Sequence, residues 1–200
     1  MGGLVSDAML QSMLDLDDIK PDGPRRLSRR EYDELVKLGV FEDEKIELLR
    51  GVPVTMSPEG WQHADVGVWL TRRLNRGLDD TYEVRSAHPF AATEDSEPEP
   101  DLLVGRSQPG RRAHPSEALL VVEVSASSIR KDRKAKQAIY AEAGVPEYWI
   151  IDLTDESKPV VEVYTEPTAA GYASMVKLRD GDVLRPIHVP IEIAVADLPR

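Results

Sequence analysis

The chain of 200 residues contains no cysteine, which excludes disulfide bonds and thiolate–zinc sites. No apolar run approaches the ~20 residues that a membrane-spanning helix needs. The N-terminus, residues 1–7, also lacks the basic start and long apolar stretch of a signal peptide. We therefore expect a cytoplasmic protein with no membrane partner.

Basic residues are in deficit, with 25 Lys and Arg against 36 Asp and Glu and a net charge of -11. This balance argues against a protein that coats nucleic acid non-specifically, because neutralising phosphates requires clustered Lys and Arg. It does not exclude a nuclease, since a metal site concentrates carboxylates. Phosphate-cradling glycine loops, nucleophile elbows and dinucleotide fingerprints are missing from the sequence as well. We therefore expect no organic cofactor.

The length and composition suit one domain with a substantial core, preceded by a short arm. Met9, Leu10, Met13 and Leu14 could form an amphipathic turn, and the prolines at 21 and 24 then break the chain. We predict an N-terminal arm at 1–24, a candidate self-association segment, and a single domain at 25–200.

Helical and strand patterns alternate along the domain, which predicts an α/β fold with a mixed sheet. Ser28 and Glu31 form the capping box of a helix that Gly39 ends. The almost continuously apolar run at 119–124 predicts a central strand covered on both faces. The Asp180-Gly181 pair predicts a hairpin. The other predicted elements are helices at 61–78 and 129–143, strands at 45–50, 52–56, 82–87, 147–152 and 160–164, hairpin strands at 172–178 and 183–186, and a solvated acidic loop at 93–100.

Carboxylates interrupt the apolar runs. Asp101 opens one run directly after Pro100, Glu123 lies within the predicted central strand, and Glu47 lies in an upstream strand. A buried run does not contain a carboxylate unless something balances its charge. A divalent cation would balance it, and the corresponding chemistry would be metal-assisted hydrolysis.

Phosphodiester hydrolysis needs a nucleophilic water and stabilisation of charge on the phosphate. Mg²⁺ supplies both when one or two carboxylates hold it and leave positions for water and substrate. Asp101 and Glu123 suit that task because strands fix them, and the carbonyl of Val124 is a further candidate ligand. Lys136, on the helix that follows, would orient or deprotonate the water or stabilise the phosphate charge; the sequence does not separate these roles.

The predicted helix presents Asp132, Lys136 and Tyr140 at i, i+4 and i+8, so the three line one side. If that side packs on the sheet, Lys136 points toward the acids, and Asp132 and Tyr140 are candidates to orient it. His63, at the start of the helix at 61–78, is a candidate contact to substrate or metal, with a capping or packing role as the alternative.

Pro100-Asp101 followed by Glu123 in an apolar strand resembles the PD-(D/E)XK nuclease superfamily. In the usual pattern a lysine follows the second acid by two positions, whereas this chain has the uncharged Ser125 there. The displaced Lys136 and several local matches resemble one bacterial branch, the Uma-two-like family of restriction endonucleases. The matching stretches are 46–51, 56–58 with His63, 97–102, 122–125, 132–136 with Tyr140, and 144–149 with Asp152, within a resemblance covering roughly residues 25 to 198.

The resemblance implies a restriction-endonuclease-like mixed sheet flanked by helices. It implies Asp101 and Glu123 as metal ligands, Glu47 as an additional acid in the metal site, and Lys136 as the catalytic lysine. It further implies Mg²⁺ as the cofactor, with Mn²⁺ as a substitute, and DNA as the substrate. A homodimer would supply two sites for cutting both strands of a duplex.

Two other interpretations stay open at this point. The acidity of the chain and the uncharged Ser125 would also suit a non-catalytic DNA-binding or regulatory module that retains the nuclease fold; such a protein would bind no divalent metal. A structural or interaction protein would instead place Asp101, Glu123 and Lys136 in well-separated, solvent-facing positions.

Overall fold

The computed structural model of the chain describes residues 25–155 and 159–199, so the predicted arm at 1–24 lies outside the described residues. Within the described ranges no helix is both long and apolar enough to cross a membrane. The helices are α1 (Arg29–Lys37), α2 (Trp61–Gly77) and α3 (residues 129–142), with a short 3-10 turn at Val195–Asp197. The strands are β1 (Ile46–Leu49), β2 (Val52–Thr55), β3 (Tyr82–Ser86), β4 (Leu102–Arg106), β5 (Leu120–Ser125), β6 (Glu147–Asp152), β7 (Val160–Thr168), β8 (Gly171–Leu178), β9 (Val183–Leu184) and β10 (Ile193–Ala194).

A six-stranded mixed sheet forms the centre of the domain, in the order β3-β4-β5-β6-β7-β8. The β5–β6 pair is parallel and the other four pairs are antiparallel. Two parallel neighbours need a crossover connection, and α3 supplies it. The predicted α/β fold with a mixed sheet is therefore confirmed.

The two faces of the sheet carry two separate apolar clusters. On one face α2 contributes Val66, Leu70 and Leu74 to a core that includes Val122 of β5. On the other face Tyr140 of α3 packs with Val121 of β5. All six residues of β5 are buried, which confirms the prediction of a central strand covered on both faces. Since successive strand residues alternate between faces, Glu123 and Ser125 share the α3 side with Val121.

A tight hairpin joins β1 to β2 and brings Glu47 to the sheet. The capping box of Ser28 and Glu31 starts α1 as predicted, and the preceding Leu27 donates its N–H to the carbonyl of Gly51 over 2.8 Å. Arg50 and Gly51 have φ values of 53° and 76°, as a type I′ turn requires. An isolated bridge between Leu48 and Glu97 then ties β1 to the segment before β4.

Replacing Gly51 with alanine is expected to lower the free energy of unfolding by about 1–3 kcal/mol, because the turn needs a positive φ. A Cβ at this position would also lie 2.5 Å from Cβ of Arg26 and 2.9 Å from the carbonyl oxygen of Leu27. Urea denaturation measures the change. The matched control is Gly67→Ala within α2, where a Cβ meets open space; alanine there should stabilise by about 0.5–1 kcal/mol. Equal effects at the two positions would contradict the turn assignment.

The hairpin predicted around Asp180-Gly181 is wrong. A turn does form, with the Asp182 N–H donating to the Arg179 carbonyl over 2.9 Å, but its flanking strands do not pair with each other. β8 instead pairs along β7, and β9 pairs with β10. The reason is burial: Leu184 of β9 and Ile193 of β10 both join the core on the α2 face of the sheet.

Candidate functional site

A small cleft of about 80 Å³ lies where β5 ends, between the start of α2 and α3. Asp101, Glu123 and Lys136 all line it, and so do His63 and Asp132. Glu123 and Lys136 are only 4% and 2% exposed. The structure thus brings the predicted residues together, and the interpretation with well-separated, solvent-facing acids is wrong.

Lys136 is held between two carboxylates. Its Nζ lies 2.8 Å from Oε1 of Glu123 and 3.0 Å from Oε2 of Glu47. The Tyr140 hydroxyl donates to the same Oε1 of Glu123 over 2.7 Å. Burial alone would lower the pKa of Lys136, but Glu123 and Glu47 together raise it above its usual value. Lys136 is therefore a buried ammonium group.

Glu47 is buried against two lysines and lies beside the cleft, outside the group of residues that line it. Lys131 donates to its Oε1 over 2.6 Å, while Lys136 and the backbone N–H of Glu99 reach its Oε2 at 3.0 and 3.3 Å. Burial alone would raise the pKa of Glu47, but Lys136 and Lys131 hold it below its usual value. Glu47 is an ionised group that positions Lys136; its role as a metal ligand stays a prediction.

Lys131 is a site residue that the sequence analysis missed. Residues five apart in a regular α-helix are about 140° apart around the axis. A regular helix would therefore place Lys131 and Lys136 on different sides. The middle of α3, Asp132–Lys136, is a π-helical turn, and the Gln137 N–H donates to the carbonyl of Asp132. This wider turn aligns residues five apart. The dense basic run around Lys131 was the only signal in the sequence.

Ser125 occupies the position at which the usual nuclease pattern has a lysine, and its side chain forms a hydrogen bond with Asp132 instead. Its hydroxyl donates to Oδ2 of Asp132 over 2.7 Å, and Ser128 donates to the same oxygen over 2.7 Å. Asp132 is 1% exposed, and its Oδ1 finds no hydrogen-bond partner among the described residues. The side chain two positions after Glu123 is therefore committed to fixing α3 on the sheet.

Asp101 closes the opposite side of the cleft. Its Oδ2 accepts the backbone N–H of Val124 over 2.6 Å and lies 3.1 Å from Nε2 of His63. Burial lowers the pKa of His63, but the hydrogen bond and charge of Asp101 outweigh it, so the pKa is raised. His63 is thus a polar neighbour of Asp101 in the cleft, and its contact to substrate or metal stays a prediction.

The sequence between Arg30 and Ala196 matches a family model described as "Uma2: Putative restriction endonuclease". The chain belongs to the Uma2 family. The resemblance drawn from the sequence is therefore confirmed. A search of curated proteins finds no match to this chain.

A solved structure shows the fold of this Uma2 chain independently. It is described as a "putative nuclease belonging to DUF820 from Anabaena variabilis" and is similar over 86% of this chain and 97% of its own, with a TM-score of 0.68. The sequence identity is 13%. At that identity the likeness establishes the fold of the domain alone.

The donor set of the Uma2 cleft fits a divalent cation. The carboxylates of Asp101, Glu123 and Asp132 line the cleft and that of Glu47 lies beside it, close to the two ammonium groups of Lys131 and Lys136. Burial raises the pKa of Glu123 well above its usual range, against the pull of Lys136, and the other three acids raise it further. Among the described residues, hydrogen-bond donors contact Oδ2 of Asp101 and Oε1 of Glu123. The second carboxylate oxygen of each residue accepts no hydrogen bond from them.

No ready-made cage of three or more His, Asp or Glu ligands exists within residues 25–155 and 159–199. Mg²⁺ does not require such a cage, since it is usually held by one or two carboxylates and keeps several waters. Asp101 and Glu123 are the residues that would hold the ion.

The π turn is anchored to the sheet by Arg133. This guanidinium donates to Glu162 on β7 over 2.8 and 3.0 Å and to Asp152 on β6 over 2.6 Å. Lys177 and Tyr164 also contact Glu162, at 2.7 and 2.8 Å. Burial alone would raise the pKa of Glu162, but these hydrogen bonds lower it to about 2.

Glu162→Gln is expected to lower the unfolding free energy at pH 7 by about 1–3 kcal/mol. A carboxylate with a depressed pKa stabilises the folded state above its unfolded pKa, 4.5 here, and this contribution is lost as the pH falls toward about 2. Urea denaturation of both proteins between pH 7 and pH 3 measures the difference, which should shrink below about pH 4.5. A difference independent of pH would show that the ionised Glu162 does not stabilise the fold.

Proposed function

We propose that this protein is a Mg²⁺-dependent endonuclease that hydrolyses DNA phosphodiester bonds. The observation that carries the proposal is the meeting of Asp101, Glu123 and Lys136 in one cleft, with one oxygen of each acid left unbonded by the described residues. Membership in a family described as a restriction endonuclease supports DNA as the substrate.

Asp101 and Glu123 would hold Mg²⁺, for which Mn²⁺ would substitute. When bound, the ion would neutralise charge on the phosphate and lower the pKa of a water. The strand framework keeps the two carboxylates fixed, because Val124 holds Asp101 and Tyr140 holds Glu123 by hydrogen bonds.

Lys136 would act as a cation. A general base needs a pKa close to the working pH, whereas Glu123 and Glu47 raise the pKa of Lys136 above its usual value. Its ammonium group would instead stabilise the negative charge that develops on the phosphate. Glu47 and Lys131 would keep it in place, which makes them positioning residues.

The alternative function, a non-catalytic DNA-binding or regulatory module, is favoured by one feature of the site. Lys136 already neutralises part of the charge on Glu123 through a direct contact of 2.8 Å. The fold can therefore bury Glu123 in the absence of an ion. Such a module would bind DNA equally well with and without a divalent metal.

The test is a titration of plasmid cleavage with Mg²⁺ and Mn²⁺, run on the wild type, Glu123→Gln and the control Glu117→Gln. Glu117 is exposed and lies outside the cleft. We expect metal-dependent nicking by the wild type and the control, and loss of nicking in Glu123→Gln. A wild-type protein that neither cleaves DNA nor binds the metal would leave the non-catalytic module as the function.

A further inference from the structure

A second cavity, of about 840 Å³, lies beside β1 and shares no lining residue with the cleft. Its lining comes from α1, the segment 41–46, the end of β3 and the loops around 97–99 and 111–114. One chain of contacts leads from it toward the cleft. The Glu99 N–H donates to Glu47 over 3.3 Å, and Glu47 in turn contacts Lys136 in the cleft over 3.0 Å.

Several residues that line this cavity carry a buried polar atom without a hydrogen-bond partner. The described residues contain five such side-chain atoms, and three of them belong to residues lining the cavity: Nε of Arg29, Nε of Arg85 and Oε2 of Glu97. The other two belong to His63 and Asp132, which line the cleft. Native proteins rarely leave buried polar groups unsatisfied, so three of them among the residues that line one cavity need an explanation, and a bound ligand is one.

Glu97 is the decisive side chain. It was predicted to lie in a solvated acidic loop, and that prediction is wrong, because Glu97 is only 4% exposed. The imidazole Nε2 of His114 is 3.9 Å from its Oε1 and therefore beyond hydrogen-bond distance. Burial raises the pKa of Glu97 to about 7, as expected for a carboxyl group that lacks donors.

The rest of the lining suits an anionic, aromatic ligand. Six Lys and Arg side chains line the cavity against four Asp and Glu side chains, the reverse of the balance in the whole chain. Tyr32 and Phe41 stack in its wall, with their ring centroids 5.7 Å apart. Such rings provide a platform on which a nucleobase can stack, and the surrounding cations would contact its phosphate.

We propose that this cavity binds a guanine nucleotide. A carboxylate at the wall can accept the ring N–H and the exocyclic amino group of guanine together, while guanidinium groups donate to its O6 and N7. Adenine offers a carboxylate one amino donor beside a ring-nitrogen lone pair, which repels it. The proposal rests on the proposed function only in its choice of a nucleotide as the ligand.

Two sources could supply the nucleotide: the pool of free nucleotides, or a guanine of the nucleic-acid strand that enters the neighbouring cleft. Both present the same chemistry to Glu97. The experiment therefore includes one probe of each kind.

The experiment is isothermal titration of the full chain in EDTA, so that binding is measured without the metal that cleavage requires. The free ligands are GMP, IMP and AMP, since IMP lacks only the exocyclic amino group. The strand probes are single-stranded thymidine octamers with one central guanine or hypoxanthine. The variants are Glu97→Gln and the control Glu117→Gln, with folding checked by circular dichroism.

We expect GMP to bind about tenfold or more tightly than IMP and AMP. The preference should vanish in Glu97→Gln and persist in Glu117→Gln. A larger guanine preference in the octamer than in the mononucleotide would assign the cavity to the substrate strand, and a preference confined to GMP would assign it to free nucleotides. Absence of any guanine preference in both probes, or a preference that survives Glu97→Gln, would overturn the proposal. That result would say nothing about metal-dependent cleavage, which is measured in a different assay. The nucleotide-binding proposal and the nuclease proposal can therefore fail separately.

Discussion

Replacing Lys136 with methionine is expected to abolish metal-dependent cleavage and to destabilise the fold. Loss of a single charge-stabilising donor typically costs a factor of about 10²–10³ in rate. The substitution also leaves Glu123 buried without its ammonium partner at 2.8 Å. Breaking a buried ion pair in this way costs about 3–5 kcal/mol. Plasmid cleavage and urea denaturation measure the two effects separately.

The pH dependence of the Lys136→Met defect follows from the carboxyl group that remains. Burial already raises the pKa of Glu123 in the wild type, and removing Lys136 should raise it further. A group that binds its proton more tightly in the folded state makes stability fall as the pH rises. The defect should therefore be largest in alkaline solution and shrink as the pH is lowered.

Adding Glu123→Gln to Lys136→Met should restore part of the lost stability and none of the activity. The neutral amide removes the uncompensated charge, while Glu47 keeps Lys131 at 2.6 Å. A double-mutant cycle then isolates the coupling between the two residues. Additive effects of the two substitutions would show that the contact between them does not stabilise the protein.

Asp101→Asn is expected to abolish cleavage while leaving the fold intact. Asparagine keeps an oxygen that can accept the Val124 N–H, now bonded over 2.6 Å, so the unfolding free energy should change by no more than about 1 kcal/mol. The negative charge is lost, however, and Mn²⁺ binding measured by titration calorimetry should weaken by about 100-fold or more. Full cleavage activity in this variant would rule out Asp101 as a metal ligand.

His63 provides a readout of the Asp101 substitution that does not depend on activity. The hydrogen bond and charge of Asp101 raise the pKa of His63 in the wild type. Without that charge the pKa should fall, because burial lowers it and only the smaller contributions of Glu59 and Asp132 still raise it. An NMR titration of the imidazole measures the change in metal-free protein, and Asp65→Asn on the exposed side of α2 is the control. An unchanged pKa would show that the Asp101 carboxylate is not the partner of His63.

Much of the fold could be predicted because local signals and burial agreed. The capping box of Ser28 and Glu31 placed the start of α1, and the apolar run around Glu123 placed the central strand. Where the turn signal and the burial of apolar residues favoured different strand pairings, burial determined the pairing. The Asp180-Gly181 turn forms, yet Leu184 pairs with Ile193 because both are buried in the core.

The candidate site also has features that the sequence predicts and features that it does not. The sequence shows a carboxylate within a buried strand, at Glu123. It also shows the helical i, i+4 spacing from Asp132 to Lys136. The contribution of Lys131 depends on a π turn, whose hydrogen-bond register no apolar period specifies. The burial of Glu97 depends on the bridge that ties its loop to Leu48 of β1, and the acidic composition of the loop gives no sign of it.

By itself the sequence determined most of the helices and strands and the mixed sheet, because hydrophobic periodicity is a local property. It also made Asp101 and Glu123 candidates through their positions in apolar runs, and the family resemblance added Lys136. Only the tertiary structure decided that Glu47 holds Lys136, that Ser125 serves Asp132, and that Glu97 faces a second cavity. Those arrangements depend on which segments meet across the sheet and how much solvent they exclude, and both are properties of the folded chain as a whole.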